Sequence, residues 1–82
     1  MQYEKVYVEI VVKFALDGQI RPLFINWRDG ERFYIDRLKR IEKAPARAGS
    51  LITRRYTVLI NGLERYLYYE LNTERWFVER KI

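Results

Sequence analysis

Three dipeptides of the kind that closes tight β-hairpins constrain this chain more than any other feature. Asp17-Gly18, Asp29-Gly30 and Asn61-Gly62 each pair a glycine with a residue that tolerates positive φ. Each dipeptide lies between stretches rich in β-branched and aromatic residues. The sequence therefore predicts a fold made of β-hairpins.

The clearest predicted strand covers residues 6–14. Its alternate residues are apolar, namely Val6, Val8, Ile10, Val12 and Phe14. Glu9 and Lys13 lie between them, and a period of two is typical of a strand with one buried face.

Hairpin registers follow from keeping the apolar residues of paired strands on one face. A two-residue loop at Asp17-Gly18 aligns Ile10 with Ile25, and a three-residue loop ending at Gly30 aligns Ile25 with Phe33. The same registers place further apolar residues on this face, namely Val8, Val12, Leu23, Trp27 and Ile35. We call this predicted three-stranded unit the first meander.

The second half of the chain gives a similar unit, the second meander. A two-residue turn at Asn61-Gly62 aligns Tyr56 with Leu67. A turn near Thr73 then aligns Tyr69 with Trp76, although threonine suits positive φ poorly, so this loop is either two residues long or longer and bulged.

The connector between the meanders is ambiguous. Ile35, Leu38 and Ile41 are spaced for one face of a short helix within 36–46, or for a strand interrupted by a bulge, and we favour the strand. The alanine-rich stretch with Pro45 and Gly49 predicts a loop.

Two meanders with one apolar face each are expected to pack those faces together. We therefore predict an all-β fold of six strands, as an SH3-like small barrel or a sandwich, with Trp27 and Trp76 in its core. A chain of 82 residues is long enough for one such domain.

Catalytic chemistry is poorly represented. The chain has no cysteine and no histidine and only one serine, Ser50, which excludes the common catalytic triads and Cys/His zinc sites. Acidic residues such as Glu9 and Glu70, or Asp36 and Glu42, alternate with aromatic and basic residues in the manner of solvent-facing strand positions. We predict a non-catalytic cytoplasmic protein without a cofactor or a metal. Asp36 and Arg37 could anchor a ligand, but we favour a structural role for them, through an ion pair or loop hydrogen bonds.

The net charge of +5 is concentrated in one segment. Residues 37–55 contain seven basic residues and one acidic residue, whereas the rest of the chain has nine basic and ten acidic residues. This basic segment is typical of a surface that contacts an anionic partner.

Two binding hypotheses follow. In the first, favoured narrowly, the protein docks a protein partner or a second copy of itself through an exposed row on the outer face of the first meander, formed by Val11, Phe24 and Tyr34. In the second, it binds single-stranded nucleic acid through the outer face of the second meander. The bases would stack on Tyr66 and Tyr68, and the phosphates would contact Arg37, Lys39, Arg40, Arg54 and Arg55. A strongly curved sheet would instead turn Tyr68 or Phe77 into a second core layer.

Several short stretches carry a resemblance to known proteins. They are Lys5-Val6-Tyr7-Val8-Glu9, Asp17-Gly18-Gln19-Ile20-Arg21-Pro22-Leu23, Trp27-Arg28-Asp29-Gly30, Ile35-Asp36-Arg37, Arg55-Tyr56-Thr57-Val58 and Arg75-Trp76-Phe77-Val78-Glu79. Together they resemble a family of short uncharacterised bacterial proteins. They are more distantly similar to a β-rich domain of unknown function at the carboxyl end of some mutagenesis proteins related to Y-family DNA polymerases. The resemblance implies a β fold in the bacterial cytoplasm and a connection to DNA metabolism, and it implies no enzymatic activity.

Overall fold

The computed structural model describes residues 2–43 and 52–82, and this part of the chain forms seven antiparallel strands and no helix. The strands are β1 (Tyr3–Phe14), β2 (Ile20–Asn26), β3 (Arg32–Tyr34), β4 (Arg37–Lys43), β5 (Thr53–Ile60), β6 (Leu63–Glu70) and β7 (Arg75–Lys81). Their order in the sheet is β3-β2-β1-β7-β6-β5-β4, and the sheet curls into a half-barrel. The all-β, barrel-like prediction is confirmed, with seven strands in place of six.

The additional strand is β4, which pairs with β5. Its register changes between Leu38, opposite Val58, and Arg40, opposite Thr57, so Lys39 forms a bulge. The bulge lets Leu38 and Ile41, three residues apart, both pack against the core. The helix-like spacing of the connector therefore arises from a bulged strand, and residues 44–46 of the alternative helix lie outside the described residues.

Most of the predicted registers are confirmed. Ile25 lies opposite both Ile10 and Phe33, and Tyr56 lies opposite Leu67. Asn61 and Gly62 have φ values of 52° and 76°, as a two-residue turn of this hand requires. Local turn chemistry thus fixes the pairing of the hairpins closed by Asp29-Gly30 and Asn61-Gly62. The two-residue loop predicted at Asp17-Gly18 is wrong, because Phe14 lies opposite Ile20 and the loop covers residues 15–19.

The last hairpin has the predicted alignment but a longer loop. Tyr69 lies opposite Trp76, and the loop covers residues 71–74. Its positive φ, 58°, falls at Glu74 and not at Thr73. The longer of the two loops considered from the sequence is therefore confirmed.

The prediction that Leu23 belongs to the core is wrong. Val11 pairs with Phe24 but Val12 pairs with Pro22, so Leu23 is an extra residue in β2 and is 42% exposed. Pro22 is buried in its place. Proline has no N–H to contribute to a sheet, and a bulge accommodates it at little cost.

Two connections curl the sheet. The long strand β1 pairs with β7 along its first half and with β2 along its second half. Between β3 and β4, the Ile35 N–H donates to the Leu23 carbonyl at 3.0 Å and the Asp36 N–H donates to the Leu59 carbonyl at 2.8 Å. The link from β3 to β4 therefore joins the two ends of the sheet.

The core fills the concave side of this sheet. Its buried members are Ile25, Tyr56, Val58, Leu67 and Trp76, and partly buried residues from β1 to β4 pack against them. Tyr56 and Trp76 pack with their ring centroids 4.9 Å apart. The predicted core position of Trp76 is confirmed, and Trp27 is half-buried against the same cluster.

Candidate binding surfaces

The outer face of β5, β6 and β7 is itself buried. Arg55, Tyr68 and Phe77 lie side by side in the predicted register, but Tyr68, Phe77 and Thr57 have no exposed surface. The Tyr68 and Phe77 rings stack with centroids 5.1 Å apart. These residues form a second apolar layer, so this face offers no open aromatic platform.

Side chains from β1 and β5 pack over this layer. The Tyr7 ring meets the Phe77 ring edge-on at 5.8 Å, and the Lys5 ammonium lies 5.1 Å from the centre of the same ring. The Arg55 guanidinium lies 4.6 Å from the centre of the Tyr66 ring. Cations over aromatic faces are favourable when water is partly excluded. Lys5 and Arg55 therefore shield the aromatic rings of the second layer from water.

A buried carboxylate fixes β1 to the end of β6. Glu70 is 4% exposed and accepts hydrogen bonds from Lys5 at 2.7 Å, from Tyr7 at 3.2 Å and from Thr73 at 2.5 Å. Arg75 lies 3.8 Å from it and stacks on the Tyr7 ring at 3.9 Å. A buried charge needs such partners to offset its desolvation. Glu70 therefore has a structural role and does not face solvent as the sequence suggested. It also does not pair with Glu9, which accepts a hydrogen bond from Asn26.

The pKa of Tyr68 is raised because its side chain is buried. Burial raises the pKa of Tyr68 to about 12, with a further rise from the neighbouring Glu79 carboxylate and an opposing effect from Arg55. Within residues 2–43 and 52–82 its hydroxyl has no partner in hydrogen-bonding geometry. The phenol stays protonated at neutral pH.

Several predicted phosphate-binding residues already have acidic partners. Lys39 contacts Glu64 at 2.9 Å, and Glu42 contacts both Arg55 at 2.8 Å and Arg40 at 3.5 Å. The hydrogen bond from Arg55 lowers the pKa of Glu42, and the one from Lys39 lowers the pKa of Glu64. These cations are therefore partly neutralised on the protein itself.

The remaining members of the predicted nucleic-acid site are placed differently. Arg37 and Arg54 are exposed and make no ion pair within the described part of the chain. Tyr66 is half-buried beneath Arg55. Tyr68 is buried, so a base cannot reach its ring in this conformation. The structure thus brings the cations to the β4–β5 edge but removes one predicted stacking residue from the surface.

The outer face of β1, β2 and β3 is open. Val11 lies opposite Phe24, and Phe24 lies opposite Tyr34, so the three side chains form a continuous row across the strands. Val11 is 37% exposed and Tyr34 is 56% exposed, with Phe24 half-buried between them. We call these three residues the outer row.

The outer row has a fixed geometry and a polar border. The Phe24 and Tyr34 rings pack at 5.2 Å, and the Arg32 guanidinium lies 4.9 Å from the centre of the Phe24 ring. Next to the row, Asn26 donates a hydrogen bond to Glu9 at 2.8 Å. An apolar centre with a polar border is the usual composition of a protein interface.

A cleft of about 670 Å³ was not anticipated from the sequence. It opens where β6 and β7 separate, because the two strands pair only through Tyr68–Phe77, Tyr69–Trp76 and Glu70–Arg75. Beyond these pairs β7 follows β1 and β6 follows β5. The lining is largely apolar and aromatic and includes Trp27, Phe33 and Tyr66.

Among the described residues, no three acidic side chains come together as a metal site would require. The described chain also contains no helix with the length and hydrophobicity needed to cross a membrane.

Comparison of the chain with protein-family models, with curated proteins and with solved structures finds no match. The resemblance to a bacterial family therefore stays a prediction.

Proposed function

We propose that this protein is a non-catalytic interaction module that docks a protein partner, either another protein or a second copy of itself, on the outer face of β1, β2 and β3. The observation that carries the proposal is the exposed outer row, in which Val11, Phe24 and Tyr34 align across three strands. Apolar and aromatic side chains are concentrated at protein interfaces and are usually covered elsewhere.

Two details support a binding role for this row. Phe24 is held between Tyr34 and Arg32, so its ring would lose little conformational freedom when a partner covers it. The row ends at β3, a three-residue strand at the end of the sheet order. A partner segment that pairs with β3 would place its own side chains over Tyr34.

Single-stranded nucleic acid is the second candidate, and the cations at the β4–β5 edge favour it. Lys43 lies directly opposite Arg54, a like-charge pair that destabilises a sheet and that a phosphate would relieve. Non-specific binders of single strands also need aromatic stacking, which supplies about 1–3 kcal/mol per base. Because Tyr68 is buried, this contribution is reduced, and protein docking accounts better for the exposed surface.

Photocross-linking in the native cells tests the docking proposal. A benzophenone amino acid replaces Tyr34 in one variant and Asn72, an exposed loop residue far along the chain, in a matched control. We expect an adduct of discrete mass from the Tyr34 position only. An adduct of twice the chain mass indicates self-association, which sedimentation over a range of protein concentrations then measures.

The affinity for the captured partner should depend on the outer row. Tyr34→Ser is expected to weaken binding at least about tenfold, because it removes the most exposed aromatic side chain of the outer row. Equal cross-linking from both positions, or no adduct from Tyr34 together with a monomer at all concentrations, would exclude this surface. Binding of a labelled single-stranded oligonucleotide that weakens steeply with salt and is lost in Arg54→Ala would instead support the second candidate.

A further inference from the structure

The cleft between β6 and β7 has two sides that belong to different faces of the sheet. Its interior comes from the core side, with Trp27 and Phe33 packed edge to face at 6.2 Å and Ile60 and Val78 beside them. Its outer wall includes Tyr66, which is half-buried. A volume of about 670 Å³ is within the range of small-molecule sites, which are typically apolar with a few polar groups.

One charged residue lies on the core side of this opening. Arg65 is directly opposite Val58, and directly paired residues of an antiparallel pair share a face. Val58 is fully buried in the core, so Arg65 occupies a core-facing position, and it is exposed at the mouth of the cleft. Within residues 2–43 and 52–82 it makes no ion pair.

The acidic residues of the cleft lie on the opposite face. Glu64 and Glu79 are each one residue away from a core-facing position, Arg65 and Val78 respectively, and side chains alternate along a strand. Glu64 is also bridged to Lys39 at 2.9 Å, which partly offsets its charge. The core side of the mouth therefore presents one cation above an aromatic interior.

We infer that this cleft binds a small planar aromatic molecule that carries an anionic group. The ring packs against the Trp27–Phe33 pair and the neighbouring aliphatic side chains, where it displaces water from apolar surface. The carboxylate or phosphate of the ligand remains at the mouth and pairs with the Arg65 guanidinium, which is suited to bidentate contacts with either group. The aromatic interior of this site lies on the other face of the sheet from the outer row, and the site does not depend on the proposed docking function.

The test uses two aromatic anions, indole-3-acetate and adenosine 5′-monophosphate, which represent the carboxylate and phosphate forms of the ligand. Each is titrated into the isotopically labelled protein while the indole N–H signals of Trp27 and Trp76 are followed by NMR. We expect saturable shifts of the Trp27 signal with at least one probe. The probe that binds more tightly identifies the anionic group.

Variants and ring-free or neutral probes complete the test. Arg65→Gln should weaken the binding of the anion at least fivefold, roughly 1 kcal/mol, and leave neutral indole unaffected. The matched control Arg21→Gln, which alters an exposed arginine paired with Asp17, should change neither. The inference is overturned if neither probe shifts Trp27 at millimolar concentration, if Arg65→Gln binds as the unaltered protein does, or if acetate and phosphate alone compete fully.

Discussion

The two meanders have the same local architecture but differ in what happens to their outer faces. In β1, β2 and β3 the outer face carries Val11, Phe24 and Tyr34, which stay exposed. In β5, β6 and β7 it carries Tyr68 and Phe77, which are fully buried. The difference shows that a cross-strand aromatic row can be either a buried layer or an exposed surface, depending on what the rest of the chain places over it.

The cause of the difference lies in the first strand. The first half of β1 pairs with β7 and brings Lys5 and Tyr7 beside Phe77 and Glu70. No strand of the described chain performs this role for the outer row, which ends at the short strand β3. The second meander therefore gains stability from two apolar layers, and the first meander keeps an exposed apolar row.

The largest expected effect is a difference in the free energy of unfolding between variants of the two outer faces. Phe77→Ala should lower the free energy of unfolding by about 3–5 kcal/mol, because it leaves a cavity under Tyr68 and Tyr7. The matched change Phe24→Ala, on the half-buried outer row, should cost about 1 kcal/mol or less. Urea denaturation measures both, and equal losses would mean that the two faces are not different.

The buried carboxylate should come next. Glu70→Gln removes a charge that Lys5, Tyr7 and Thr73 hydrogen-bond, and we expect a loss of about 1–3 kcal/mol, reduced from the value for a fully buried pair because Lys5 is partly exposed. Glu9→Gln in the first meander should change stability by less than about 0.5 kcal/mol. Should the two variants unfold at the same urea concentration, Glu70 does not fix β1 to β6.

The pH dependence of Tyr68 gives a further test of burial. Since its folded pKa of about 12 exceeds the ordinary value of 10.0, its contribution to folding is complete below pH 10 and is lost as the pH rises from 10 toward 12. Tyr68→Phe lacks this contribution, so its stability should fall less over this range, by up to about 2 kcal/mol. Urea denaturation of both proteins at successive pH values checks the difference, and parallel curves would place the phenol in water.

The smallest effect concerns Glu42, at the exposed edge of the second meander. Its hydrogen bond from Arg55 lowers its pKa below 4.5, so the stabilisation is present above that pH and is lost as the pH falls through the lowered value. An NMR titration of the Glu42 carboxyl should show a higher midpoint in Arg55→Gln than in the unaltered protein. An identical midpoint would show that the pair does not persist in solution.

Local features of the sequence were sufficient to predict the hairpins. Each glycine-containing turn restricts the pairing of its two flanking strands, and the requirement for one apolar face selects the register, as the pairing of Tyr56 with Leu67 shows. The sequence did not reveal the bulge at Leu23, because the one residue that marks it, Pro22, is also compatible with an ordinary position in an edge strand. Bulges depend on curvature that a short window of sequence does not specify.

The long-range features of the candidate sites could not be predicted in the same way. The pairing of β1 with β7 joins residues at opposite ends of the chain, and it determines both the cover over Phe77 and the position of the cleft. A signal for the second layer was nevertheless present. The runs Tyr66-Leu67-Tyr68-Tyr69 and Trp76-Phe77-Val78 are apolar without interruption, which is typical of strands buried on both faces.

Thiol labelling tests most directly whether one outer face is buried and the other open, and the absence of cysteine from the chain makes it simple. Thr57→Cys places a side chain of similar size in the buried outer face of β5, and Val11→Cys places one in the outer row. With a thiol reagent at pH 8, we predict that the Val11→Cys protein reacts at the rate of an unfolded thiol and that Thr57→Cys reacts at least about a hundredfold more slowly, because it must await local opening. Reaction of the two variants at similar rates would contradict the account.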